Sequence, residues 1–224
     1  MIRQMILELP VKEALGWQDF YVSDSNATAV AVLEDWENWP QGKLVLVGPE
    51  GAGKTHLAHI WAAQAETSVL PAAELASADL PEIAVCQRIA VEDADLIAGM
   101  AEAEVALFHL HNMVLATGGR LLITARKPPV QWGLSLPDLV SRLQAAGLTT
   151  LYAPDDMLLA AVVMKLFADR QLTVAPAVLP YMLRRMDRSF SAARALVEAI
   201  DRRALAENRA ITRPLAAQVL DSLE

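Results

Sequence analysis

The sequence predicts an α/β fold, in which a parallel β-sheet covered by helices is followed by a small all-helical domain. Two observations indicate this. Short apolar strands alternate with helical stretches up to about residue 153, a pattern typical of parallel sheets with helices on both faces. After Pro154, helical patterns alone continue to the last residue. We therefore expect an arm at 1–12, an α/β domain at 13–153 and a helical domain at 154–224.

Apolar runs bounded by turn residues define the predicted strands. The clearest is Lys43–Val47, which follows a Pro-Gln-Gly break and ends at Gly48. The other strands are expected at 68–70, 88–91, 120–124 and 149–152. Helices are expected at 26–36, 54–65, 101–116 and 136–145. Ser25 is the expected N-cap of the first helix.

Helical patterns fill the second domain. Asp155 and Asp156 cap its first, apolar helix. The three helices after it are expected at 176–186, 191–207 and 213–223.

The bulk composition favours a cytoplasmic protein. Hydrophobic residues make up 54% of the 224 residues, but no apolar run reaches the ~18 residues that a membrane helix needs. The first ten residues lack the layout of a secretory signal, and the single cysteine, Cys86, excludes an internal disulfide framework. We therefore expect a cytoplasmic location and no membrane partner.

The net charge of −8 argues against a protein whose main task is to grip duplex DNA. Arginines do accumulate between residues 183 and 203. We interpret them as a solvated helix face with one or two functional members, and we expect no sequence-specific DNA binding.

A glycine-rich loop joins the strand Lys43–Val47 to the next helix. Residues 48–55 match the phosphate-binding pattern G-x-x-x-x-G-K-[ST] in its required setting between strand and helix. Glycines let backbone N–H groups curl around an anion at a helix N-terminus. Lys54 then reaches the terminal phosphates, and the Thr55 hydroxyl ligates Mg²⁺. The residues expected to bind nucleotide are Gly48, Gly51, Ala52, Gly53, Lys54, Thr55 and His56.

Glu92 and Asp93 directly follow the strand at 88–91. A phosphate loop needs an acidic site for Mg²⁺ at the tip of a neighbouring strand. We expect Glu92 to hold the metal through its water shell and Asp93 to orient the attacking water. The alternative is an acidic pair that caps the next helix. His109 and His111 are two residues apart on a predicted helix, which points their rings apart, so neither is taken as a metal ligand.

Several runs, in the order in which they occur, resemble the bacterial replication initiator DnaA and so the DnaA-like family of AAA+ ATPases. They extend over nearly the whole chain, at 19–22, 25–26, 48–57, 92–93, 107–112, 122–129 and 136–143. The resemblance implies a parallel-sheet nucleotide-binding domain followed by a helical lid.

Within that family, the sequence is most similar to the Hda-type regulators of DnaA, in their alphaproteobacterial form. The chain ends directly after the lid, where the initiator continues into a DNA-binding domain. Only a short stretch separates Leu75 from the strand at 88–91, which leaves no room for the initiator's extra helices that hold single-stranded DNA.

The arm is similar to the motif with which Hda docks onto the sliding clamp of DNA polymerase III. A glutamine in that motif enters a polar notch, and apolar side chains fill a groove. The expected partner-binding residues are Gln4, Met5, Leu7 and Leu9. The alternative is a disordered or self-packed N-terminus.

The resemblance also implies roles for individual residues. Phe20 to Val22 and Asn26 would line the adenine and ribose end, and Thr124 would lie at the tip of the sensor-1 strand. Arg142 matches the arginine finger, and Arg194 matches the sensor-2 arginine of the lid. Without the resemblance, Arg142 would be interpreted as part of a surface salt bridge and Arg194 as a charge on a helix face.

Two departures from the family pattern concern turnover. Glu92 replaces a shorter aspartate of the initiator, and Arg126 takes the place of a polar or acidic sensor. We therefore expect ADP or ATP, with Mg²⁺, to serve as a structural and conformational ligand that is hydrolysed slowly.

The implied function is that of a clamp-tethered regulator, which presents Arg142 to the nucleotide bound on DnaA and stimulates hydrolysis there. A homodimer is compatible with a finger and a nucleotide pocket on one chain. One alternative is a self-sufficient AAA+ ATPase of the helicase-loader type, acting on DNA or protein partners. A small-molecule kinase is less favoured, because the helical domain and the stretch at 136–143 have no role in it.

Overall fold

The computed structural model describes residues 21–223. Its α/β part contains one sheet of five strands, all paired in parallel, in the order β2-β3-β4-β1-β5. The strands are β1 Lys43–Val47, β2 Val69–Pro71, β3 Arg88–Glu92, β4 Arg120–Ala125 and β5 Gly147–Thr150. The expectation of an α/β fold with a parallel sheet is confirmed. The arm and Phe20 lie outside the described residues.

Helices cover both faces of the sheet. They are α1 Ala27–Glu34, α2 Lys54–Gln64, α3 Leu80–Ala84, α4 Ala101–Ala116 and α5 Pro137–Gln144. Alternate residues of β1 enter different cores, as the pleat requires. Val45 and Val47 pack with α4 and α5, whereas Leu44 and Leu46 pack with α1 and α2. Both faces of β1 are therefore buried.

The second part of the chain is helical and has its own core. Its helices are α6 Asp156–Asp169, α7 Val178–Arg185, α8 Phe190–Glu207 and α9 Arg213–Leu223. Their apolar faces form one cluster around Phe167, Met182 and Val197. Asp155 caps α6 by accepting a hydrogen bond from the Leu158 N–H at 2.8 Å, as expected, and this bond lowers the pKa of the Asp155 carboxyl.

Several details differ from the sequence-based expectations, among them the short helix α3, which is not one of the expected helices. Asn26, not Ser25, is the N-cap residue of α1, and it is buried. Its side chain accepts from the Ser23 N–H and donates to the Tyr21 carbonyl, which folds the preceding segment onto the helix. The last strand begins two residues earlier than the sequence predicts. Glycine is depleted in strands, so Gly147 gives a weak local signal, and its pairing with Leu44 of β1 decides its conformation.

Within residues 21–223, no helix combines the length and the apolar character needed to cross a membrane.

Candidate functional site

The glycine-rich loop lies between the carboxyl end of β1 and the first residue of α2. Gly51 and Gly53 have left-handed backbones, with φ of 72° and 101°. Glycine adopts this conformation without steric cost. A side chain at Gly48 would place its Cβ 2.4 Å from the Leu151 carbonyl oxygen. The three glycines thus allow a loop that residues with side chains would distort.

Lys54 is buried within this loop, with 7% of its surface exposed. Its Nζ donates hydrogen bonds to the carbonyls of Gly48 at 2.8 Å and Pro49 at 3.0 Å. Burial lowers the pKa of Lys54, and the nearby carboxylates of Asp93 and Asp95 oppose that shift. Thr55, in the first turn of α2, is exposed. The ammonium group is therefore fixed by two carbonyls of its own loop, in the electrostatic field of the acids that follow β3.

Glu92 and Asp93 lie at the carboxyl end of β3. This strand is the neighbour of β4, and β4 separates it from β1. The Glu92 Oε1 atom is buried and has no hydrogen-bond partner among the described residues. Asp93 has a left-handed backbone, and its N–H donates to the Thr124 hydroxyl at 3.1 Å. No side-chain capping bond is formed at Asp93. The structure therefore gives no support to the alternative of a helix-capping pair.

An ion pair beside these acids is not indicated by the sequence. Arg126 follows the tip of β4, and its Nε donates to Asp95 Oδ2 at 3.1 Å. The Arg126 N–H also donates to Asp95 Oδ1, at 3.2 Å. The one available signal is a third acid, Asp95, two residues after Asp93.

The helical domain contacts the glycine-rich loop directly. The Phe190 N–H, in the first turn of α8, donates to the Gly51 carbonyl at 2.9 Å. A Cβ at Gly51 would lie 2.5 Å from Ser189 Cβ, and one at Gly53 would lie 2.9 Å from the Phe190 ring. Arg194 is exposed one turn further along α8. No sequence pattern indicates this contact, since it joins segments about 140 residues apart.

The segment before α1 meets the junction between the two domains. The Tyr152 N–H donates to the Ser25 carbonyl at 3.3 Å. Tyr21, Val22 and Tyr152 remain 45%, 51% and 63% exposed. Asn26 positions Tyr21 through its hydrogen bond to that residue's carbonyl.

Arg142 lies in the last turn of α5, near the amino end of β1. Glu104 fastens the start of this helix, because its buried carboxylate accepts from the N–H groups of Ser135 and Leu136, each at 2.8 Å. The Arg142 guanidinium lies 5.7 Å from the centre of the Phe108 ring. It is close enough to Lys43, the first residue of β1, to lower the pKa of that lysine in addition to the larger effect of burial.

The two histidines of α4 differ in their surroundings. His109 is exposed, whereas His111 is buried and its Nε2 lies 3.3 Å from Lys43 Nζ. Between residues 21 and 223, no group of three or more potential ligands could hold a metal ion through His, Cys, Asp and Glu alone.

The fold is similar to that of DnaA and of AAA domains among solved structures. Domain III of the Thermotoga maritima replication initiation protein DnaA matches with a TM-score of 0.78 at 18% identity, over 96% of this chain and 98% of that one. AMPPCP-bound DnaA from Aquifex aeolicus matches with a TM-score of 0.68 at 18% identity, over 82% of this chain and 64% of that one. The FIGL-1 AAA domain matches with a TM-score of 0.69 at 17% identity, over 95% of this chain and 84% of that one.

The helical domain also matches a family model. Residues 159–220 match the family model described as the lid domain of Hda. This match covers the helical domain alone, and the fold of the chain is similar to that of DnaA domain III.

Proposed function

We propose that this protein binds an adenine nucleotide at residues 48–55 and presents Arg142 to a second nucleotide, held by the replication initiator DnaA. Stimulated hydrolysis on DnaA would be the outcome. The observation that carries this proposal is the separation of Lys54 from Arg142 along β1. Lys54 follows the carboxyl end of that strand, whereas Arg142 lies near Lys43 at its amino end.

Nucleotide binding is supported by the shape and charge of the loop. The left-handed glycines expose backbone N–H groups at the N-terminus of α2, where the helix dipole favours an anion. Lys54 supplies a cation at the same place. Two DnaA structures of this fold are complexes with AMPPCP.

The residues at the tip of β3 fit a hydrated Mg²⁺. An acceptor that is buried without a partner calls for a ligand or water, and Glu92 Oε1 is such an atom. Glu92 alternates with Val91 along β3 and so faces the same side as Ala90, which packs with α2. We infer that Thr55 and Glu92 hold the ion, which would neutralise phosphate charge. Asp93 would position a water molecule, with Thr124 fixing its backbone.

We infer that Arg142 acts away from its own phosphate loop. The charge of Arg142 acts on Lys43 and His111, and Lys43 begins the strand whose other end leads into the loop. Four residue steps along a strand span about 13 Å. A guanidinium at this edge serves a nucleotide on another molecule, where such a finger accelerates hydrolysis by ~10³–10⁵. The likeness to Hda and DnaA makes DnaA the expected recipient.

Clamp binding rests on the sequence of the arm alone. Gln4, Met5, Leu7 and Leu9 lie outside the described residues and form the proposed docking motif. Tethering at a DNA-loaded clamp would raise the local concentration of Arg142 near DnaA without any additional contact between them.

A DNA-binding helicase-loader function draws less support from the lid. Several of its arginines are paired with acids: Arg170 with Glu198, Arg185 with Asp221, Arg188 with Asp156, and Arg203 with Glu207. Paired arginines offer less net positive charge to a phosphate backbone.

The test is a reconstitution of ATP-loaded DnaA with clamp, DNA and this protein. Arg142→Ala should lose the stimulation of DnaA hydrolysis, a fall on the order of 10³, while retaining clamp capture. Arg142→Lys is the matched control for charge without the planar guanidinium, and it should recover little activity. Gln4→Ala should lose clamp capture. Full stimulation by Arg142→Ala would exclude the finger assignment.

A further inference from the structure

Two neighbouring strands of the sheet begin with an arginine on the same face. Arg88 of β3 and Arg120 of β4 are register partners. Ala90 and Leu122, two residues further along each strand, pack with α1 and α2, and the two arginines face the same side because side chains alternate. Like charges that are neighbours on one face destabilise a sheet. Within residues 21–223, neither arginine forms an ion pair with an acid that would compensate its charge.

Arg120 is held by backbone carbonyls. Its Nε donates to the Trp36 carbonyl at 3.2 Å, and its Nη2 donates to the Glu37 carbonyl at 2.6 Å. Its Nη1 donates to the carbonyls of Gly118 at 2.8 Å and Gly119 at 3.1 Å. These bonds fasten the short turn after α1 to the start of β4, and so they fix the position of Trp36.

Arg88 is held in a defined plane with one edge available. Its guanidinium carbon lies 5.1 Å from the centre of the Trp36 ring, which itself packs edge-to-face on the buried Trp61. Its Nη1 donates to the Ala65 carbonyl at 3.1 Å. Nε and Nη2, the parallel donors of the other edge, donate to no other atom of the described chain. Paired guanidinium donors of this kind bind the oxygens of a carboxylate or a phosphate.

We propose that the open depression beside these arginines is a binding site for a dianionic phosphate group, either inorganic phosphate or a small phosphate monoester. The depression has a volume of about 380 Å³, and both arginines line it together with Trp36, Glu37 and Gln87. Two guanidinium charges match the charge of about −2 on a phosphate monoester better than the single charge of a carboxylate or a phosphodiester. The net charge of −8 also argues against a nucleic-acid backbone as the ligand.

This site is separate from the proposed nucleotide site. Arg88 and Arg120 begin their strands, whereas the glycine-rich loop follows the carboxyl end of β1 in the same parallel sheet. Phosphate at the amino ends of β3 and β4 should therefore bind while ADP occupies the loop.

The test measures binding of inorganic phosphate by phosphorus NMR at constant ionic strength, with ADP and Mg²⁺ present in saturating amounts. The parent should bind phosphate saturably, with a dissociation constant on the order of 1 mM, and Lys54→Ala should bind it equally well. Arg88→Gln should weaken binding about tenfold, because the paired donors are lost. Arg88→Lys keeps the charge without the planar fork and should recover little. Arg202→Gln removes an exposed guanidinium of the lid and is the matched control, expected to change nothing.

Two further measurements separate a binding site from a purely structural role of Arg88. Glu37→Gln removes the acid that lines the depression and should strengthen phosphate binding several-fold. Phosphate should raise the stability of the parent in urea but not that of Arg88→Gln, since a ligand stabilises only the fold that binds it. Unchanged phosphate binding in Arg88→Gln, or no saturable binding by the parent, would overturn the proposal.

The choice of probe identifies the ligand class. Equal affinity for glycerol phosphate would extend the ligand to monoesters, whereas binding of inorganic phosphate alone would identify the free ion. Dimethyl phosphate, a diester with a single charge, should bind about tenfold more weakly. Equal binding of the diester would contradict a dianion site. Phosphate binding that is lost in Lys54→Ala would assign the ion to the glycine-rich loop and remove the second site, while leaving the proposed nucleotide site in place.

Discussion

Two basic side chains meet in the interior beside Arg142. Lys43 and His111 are 3% and 2% exposed, and their nitrogens are 3.3 Å apart. The contact requires a neutral imidazole whose Nε2 accepts from the ammonium, because a protonated ring would place two cations at hydrogen-bond distance. Asn112 Oδ1, at 3.2 Å from Nδ1, then accepts the remaining ring proton. The packing at the amino end of β1 therefore requires an uncharged His111 side chain.

Acid should therefore destabilise the fold through His111. Burial is the main cause that lowers its pKa from 6.5 to about 4. The unfolded chain then binds the proton at a higher pH than the folded chain does, so this contribution to stability is complete above pH 6.5 and is lost as the pH falls toward 4. His111→Gln should reduce the drop in the free energy of unfolding between pH 7.5 and 5 by about 1–2 kcal/mol, measured by urea denaturation. His59→Gln, at an exposed histidine, is the control and should leave the drop unchanged. An unaltered pH dependence in His111→Gln would contradict this account.

At the scale of elements, the contact between α8 and the glycine-rich loop joins the two domains. The N-terminus of α8 is capped by the Ser189 hydroxyl, which accepts from the Ala192 N–H at 3.1 Å. The Phe190 N–H, in the same turn, binds the loop carbonyl of Gly51. A rearrangement of the loop around phosphate would therefore displace the first turn of α8, the 18-residue helix of the lid.

Gly51→Ala tests this coupling. The substitution strains a left-handed backbone and also forces the added methyl group against Ser189, whose Cβ would lie 2.5 Å from it. Gly99→Ala is the matched control: it has a similar φ of 83°, but nothing lies within 4 Å of the added Cβ. Both should lose about 1 kcal/mol of stability from backbone strain. Only Gly51→Ala should also weaken ADP binding, by about tenfold in calorimetry, the equivalent of one lost contact of roughly 1.4 kcal/mol. Equal ADP affinity in the two variants would mean that the lid contact is irrelevant to binding.

Most elements follow from local sequence, and the exceptions have physical causes. The patterns at Lys43–Val47, Ala101–Ala116 and Arg213–Leu223 predict these elements with their observed limits. The phosphate loop is predictable because its backbone conformation dictates its residue types. Asp95–Arg126 and Gly51–Phe190 join segments far apart in the chain, and a single sequence does not indicate which residues of such segments pair.

At the scale of the whole molecule, two groups of charged side chains lie at opposite ends of the strands. Lys54, Glu92 and Thr124 gather where β1, β3 and β4 end. Arg142 and Lys43 lie where β1 begins. A parallel sheet with right-handed crossovers produces this separation automatically, because every strand runs the same way and each helix returns the chain to the starting edge. The molecule thus has two distinct ends, with the proposed nucleotide site at the carboxyl ends of the strands and the Arg142 guanidinium near the amino end of β1.

Such a molecule should not use Arg142 on its own nucleotide. We expect hydrolysis by the isolated protein to be slow, below about one turnover per second at the low end of the enzyme range, and to be unchanged by Arg142→Ala in dilute solution. Lys54→Ala should abolish whatever hydrolysis is present, since it removes the cation from the phosphate loop. The rate should be followed over a wide range of protein concentration. A rate per molecule that rises with concentration in the parent but not in Arg142→Ala would show that two copies complete each other's sites. A loss of activity in dilute Arg142→Ala would instead mean that the guanidinium reaches its own nucleotide, and the separation of the two edges would no longer explain the function.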